Sequence, residues 1–108
     1  MKEFEQASRV EFIGIHDFDE IEKAQALRAA ENSLGKMQRI TKHETRLVVH
    51  VKTHEADKEG KGKKFSIHSK LFWAGKFLEA SHVEWGLLPA LLKSLSVLEK
   101  EVIKKLKR

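Results

Sequence analysis

The sequence predicts an α+β sandwich of order β-α-β-β-β-α, with two helices packed on one face of a four-stranded mixed sheet. Three observations carry this prediction. Leu47 to Thr53 and Phe65 to Lys70 alternate apolar and polar side chains with the period of two of half-buried strands. Two other segments, from Glu20 to Arg39 and from Leu88 to Leu106, repeat apolar residues at intervals of three and four, which marks helices. Each helix carries one apolar stripe, and two such stripes can both be buried only against one face of the sheet.

Taken in order, Arg9 to Ile15 reads as a first strand with apolar groups of both parities, Val10 and Phe12 against Ile13 and Ile15. Asp19 then offers an N-cap with Glu22 three residues later, the spacing of a capping box. The stripe Leu27, Ala30, Leu34 and Met37 follows along one helix face. The first strand connects through this helix, so it is expected to lie parallel to its neighbour. The next two strands form a hairpin whose connection, residues 55–62, is too long for a tight turn and is expected to be mobile. Ala74-Gly75 marks a shorter turn into a weaker strand, Lys76 to Val83. The last helix has the clearest pattern, Leu88, Leu91, Leu95, Leu98, Val102 and Leu106, and Pro89 is tolerated in its first turn.

A chain of 108 residues suits one domain, 1–108, with residues 1–8 expected to be flexible. That length buries about 65% of the unfolded surface, enough for a core without a metal or disulfide. Cysteine is absent, which excludes thiolate zinc sites, iron–sulfur clusters and Cys-nucleophile enzymes. The charged opening segment lacks the apolar run of a signal peptide, and no stretch approaches the roughly 18 apolar residues of a membrane span, so a cytoplasmic protein is expected.

Charge is unevenly placed. The net +5 divides into −5 over residues 1–22, where two basic residues face seven acidic ones, and +10 over the remainder. On the last helix Lys93, Lys100, Lys104 and Lys107 fall within about 60° of one another, opposite the leucines. On the first helix Arg28, Asn32, Lys36 and Arg39 oppose the apolar stripe. Helices side by side on one sheet face would join these into one basic surface, extended by Lys105 and Arg108, suited to a polyanion. Lysine-rich helix faces also serve solubility, but mixed signs would then be expected along the last helix, and Glu99 and Glu101 only flank its stripe.

The element order, Gly14 after the first strand, the segment Ser33-Leu34-Gly35-Lys36-Met37 before a valine-rich strand, and Leu98-Glu99-Lys100-Glu101-Val102-Ile103-Lys104-Lys105 together resemble the short form of ribosome hibernation-promoting factor, the ribosome-associated inhibitor A family. The resemblance spans roughly Val10 to the end of the chain. It implies a non-enzymatic protein that binds the small ribosomal subunit at the decoding channel, contacts rRNA and represses translation, without the dimerisation domain of the long form. Carried onto this sequence, the rRNA contacts fall on Arg28, Lys36, Arg39, Lys93, Lys100, Lys104 and Lys107. The chain departs from the family where the last helix opens. Glu84-Trp85-Gly86-Leu87-Leu88-Pro89-Ala90 stands in place of an Asp and an aromatic before an Ala-Ile-Asp-like stretch.

Other constellations are weaker. His50, His68 and His54 fall on neighbouring strands but lack a fourth ligand, so no metal or other cofactor is expected. Trp73 and Trp85 are expected to pack in the core or at a hinge instead of stacking on bases. Gly60-Lys61-Gly62-Lys63-Lys64 lacks phosphate-loop spacing. The enzymatic rival is a small basic ribosome-dependent ribonuclease toxin, disfavoured because Tyr is absent and the basic groups follow helix faces. A third reading is a protein-interaction module in which Ile13, Ile15 and Val48 form an apolar patch on the outer sheet face and support weak self-association.

Overall fold

A computed structural model describes residues 9–15, 18–54 and 63–106. The expected flexible segments 1–8 and 55–62, and the proposed contact residues Lys107 and Arg108, lie outside the described residues. The elements are β1 (Val10–Ile13), α1 (Glu20–Thr41), β2 (Thr45–His54), β3 (Lys64–Trp73), β4 (Lys76–Trp85) and α2 (Leu87–Leu106). The fold is α+β, as the alternation and the two helical stripes predict. The sheet order is β1-β2-β3-β4. β1 lies parallel to β2, with Val10 opposite Leu47, and β2, β3 and β4 are antiparallel, so the sheet is mixed.

Both helices cover one face of the sheet. Thr45, Leu47, Val49 and Val51 on β2 and Phe65, Ile67, Ser69, Leu71 and Trp73 on β3 are buried, one residue in two. Leu91, Leu95, Leu98 and Val102 of α2 and Ala26, Ala30, Leu34 and Met37 of α1 complete the core above them. Three serines are buried with them. Ser69 and Ser94 are wholly buried and share a hydrogen bond of 3.0 Å between β3 and α2, while Ser33 donates to Glu99 between the helices.

The local chemistry sets the ends. Asp19 and Glu22 close the expected capping box, with Glu22 N–H donating to Asp19 Oδ1 at 2.8 Å. At the other end Lys42 adopts a left-handed conformation, φ 61°, and its N–H donates to Gln38 O, so α1 runs to Thr41 and not Arg39. Ala74 and Gly75 both have positive φ between the paired Trp73 and Lys76, the geometry whose twist matches a tight hairpin.

Several side chains fall elsewhere than periodicity predicts. β1 stops at Ile13 because Gly14, φ 95°, turns the chain, and Ile15 packs against the core instead of the outer face. Leu27 and Leu88 are half-buried, and Leu106 is exposed at the end of α2; Leu87 and Ala26 take inner positions instead. Trp73 lies in the core, whereas Trp85 faces away from it, 37% exposed, at the end of β4.

Candidate nucleic-acid interface

The burial pattern sets where each basic side chain stands. On α1 the buried stripe centres on Ala30 and Met37, so at 100° per residue Arg28 and Arg39 point directly away from the core and Lys36 tilts toward α2. On α2 the stripe centres on Leu98, which turns Lys100 outward and tips Lys93 and Lys104 toward the β4 side. Lys105 is exposed beyond the sheet, where with Glu101 and Lys104 it borders Leu78 of β4.

Two of these cations have acidic partners. Lys36 Nζ lies 3.9 Å from Glu99 Oε1 across the helix seam, and Lys93 Nζ lies 3.2 Å from Glu84 Oε1 on β4. The Glu84 carboxyl is held below its ordinary value by its hydrogen bond from His82 and then by Lys93, so it is a carboxylate at neutral pH. Among the described residues Arg28, Arg39, Lys100, Lys104 and Lys105 have no acid within ion-pair distance. Arg28 and Arg39 form one cationic ridge on α1 and Lys100 and Lys104 another on α2. Lys105, seven residues after Leu98, stands on the sheet side of α2 and, contrary to the helical-wheel expectation, does not extend the ridge.

The seam between the ridges escaped the helical-wheel reading. Its floor holds Ala29, Ser33, Leu95 and Ser96, with Lys36 and Glu99 at one end. Toward the helix N-termini it opens into an apolar stretch of Ile21, Ala24, Leu88 and Leu92, with Ile21 71% and Leu92 50% exposed. The lining residues advance together along both helices, so α1 and α2 run side by side in the same direction. The sequence signal for this floor was the pair of small residues Ala29 and Ser33, one helical turn apart on α1.

Flexible cationic groups along two ridges suit backbone phosphates better than base edges. Histidine–carboxylate pairs exist, His68 with Glu79 and His82 with Glu84, but they lie on opposite faces of the sheet and do not converge on one bond. No group of three or more potential metal ligands occurs among the described residues. No helix among them is long and apolar enough to cross a membrane.

No family model and no curated sequence matches the chain. Among solved structures it is similar to the N-terminal domain of Protein Y from Thermus thermophilus, with a TM-score of 0.63 and 14% identity over 91% of this chain and 97% of that one. At that identity the likeness is one of fold.

Proposed function

We propose that the protein is a non-enzymatic ribosome-binding protein of the cytoplasm, which lays its helix face on small-subunit rRNA and represses translation or promotes ribosome hibernation. The observation that carries this reading is that two helices on one sheet face present Arg28, Arg39, Lys100 and Lys104 without acidic partners among the described residues. The fold shared with the Protein Y domain supports it, as does the resemblance of Ser33 to Met37 and Leu98 to Lys105 to the hibernation family. Duplex RNA exposes phosphates and 2′-hydroxyls more readily than base edges, so parallel cationic ridges suit it.

Purified protein titrated into a cell-free translation system is expected to inhibit at near one-to-one ratios with ribosomes and to co-sediment with small subunits. Lys100→Glu with Lys104→Glu is expected to abolish co-sedimentation while folding survives, because both side chains are exposed. Lys52→Glu with Lys58→Glu, equal in charge but outside both helices, is expected to retain it. Equal losses from the two pairs refute the helix-face assignment, and inhibition at catalytic ratios with cut mRNA transfers the claim to a ribonuclease.

A further inference from the structure

The sheet face turned away from the helices carries an arrangement that the helix ridges do not explain. Phe72 and Phe77 are register partners on β3 and β4, with ring centroids 5.8 Å apart. At the far end of the same two strands Lys64 is opposite Trp85. Every ring has a cation beside it. Arg46 Cζ stands 5.7 Å from the Phe72 centroid, Lys70 Nζ 5.4 Å from that of Phe77, and Lys64 Nζ 5.0 Å from that of Trp85. Phe77 is 51% and Trp85 37% exposed, so neither is core. Eight residues of extended strand separate them, about 27 Å. The acids of this face are Glu11, engaged by Arg46, and Glu79, which pairs with His68 and stands opposite Lys70 in register; neither Lys64 nor Lys70 is within ion-pair distance of an acid among the described residues.

We propose that this outer face is a binding site for single-stranded RNA, with bases stacking on Phe77 and Trp85 and phosphates beside Lys70 and Lys64. Each nucleotide presents a flat π-face and one negative charge, and each end of the platform supplies a ring and a cation to match. Such stacking tolerates any base, because every base has a π-face. The same charges oppose self-association through this face, since a two-fold contact sets Lys64 and Lys70 of one copy against a second cationic surface. The site is independent of the helix ridges and stands or falls separately from them.

The test uses 5′-fluorescein oligouridylate, ten nucleotides long, followed by anisotropy against the full chain carrying Lys100→Glu and Lys104→Glu, so that the helix cations do not mask the sheet. Binding is expected, together with quenching of the Trp85 emission; Trp73, buried in the core, contributes a constant background. Phe77→Ala with Trp85→Ala is expected to weaken binding at least tenfold. Lys64→Ala with Lys70→Ala is expected to reduce the slope of log affinity against log salt by about 1.4, at 0.7 per lost contact. Trp85→Phe keeps the platform and is expected to bind nearly as the parent, which guards against a variant that fails to fold. Unchanged affinity in the double aromatic variant overturns the proposal. So does a dimer seen by sedimentation that the aromatic variant abolishes while the parent binds no oligouridylate.

Discussion

Lys36 and Glu99 meet across the seam of the two helices, Nζ to Oε1 at 3.9 Å, and the same carboxylate accepts the hydroxyl hydrogen bond of Ser33. One acidic side chain thus ties α1 to α2 and partly neutralises the face between the ridges. Glu99→Gln keeps a hydrogen-bond acceptor and removes the negative charge. The variant is expected to bind duplex RNA about two- to fivefold more tightly at low salt, the range of an exposed ion pair, with the gain fading as salt rises. Filter binding at two salt concentrations checks both parts.

The number of unpaired ridge cations sets the salt dependence. Contact by Arg28, Arg39, Lys100 and Lys104 with phosphate is expected to give a slope of log affinity against log salt of about −2.8 to −3.6, at 0.7–0.9 per contact. A slope shallower than about −2, from titrations across several salt concentrations, refutes a face-wide contact.

In the core, Leu95 of α2 is 2% exposed and belongs to the buried apolar cluster. Leu95→Ala is expected to cost about 2–5 kcal/mol by denaturant unfolding, as large-to-small core changes do. Leu106, 41% exposed at the end of α2, is expected to cost less than about 0.5 kcal/mol when changed to Ala.

Gly14 has no room for a side chain. Its φ is 95°, and an added Cβ would stand 2.2 Å from the carbonyl oxygen of Val51. Gly14→Ala is expected to destabilise the domain by about 1–3 kcal/mol and to raise hydrogen exchange along β1, since the clash is with backbone that cannot rotate aside.

The Glu84 carboxyl, held below its ordinary value of 4.5 chiefly by the His82 hydrogen bond and then by Lys93, gives acid sensitivity a definite sign. Below 4.5 the unfolded chain binds a proton there before the folded one does, so the stabilisation is present above that pH and is lost as pH falls through the lower folded value. Glu84→Gln is expected to flatten the stability profile between pH 5 and about 3 and to leave the slope near neutrality unchanged, as measured by urea unfolding across pH.

The sequence by itself determined the element order, the class and the core of α2, because periods of two and of 3.6 are properties of the backbone and show wherever one face is buried. Leu91, Leu95, Leu98 and Val102, the Asp19–Glu22 cap and the Ala74-Gly75 turn are local and were legible for that reason. The outward placement of Arg28, Arg39 and Lys100 followed from the same periodicity. Only the tertiary structure decided which cations meet an acid, since Lys36 and Glu99 lie far apart in sequence and touch only because the helices run side by side. It also decided that Ser33, Ser69 and Ser94 are buried, which is tolerable once each finds a polar partner. On β4 the apolar residues fall on both parities, Leu78 and Ala80 against Phe77, Val83 and Trp85, so alternation could not choose the inner face. Register with β3 chose it, and by seating Ala80 beside Ser69 beneath α2 it turned Phe77 and Trp85 outward, where hydrophobicity alone would have buried them.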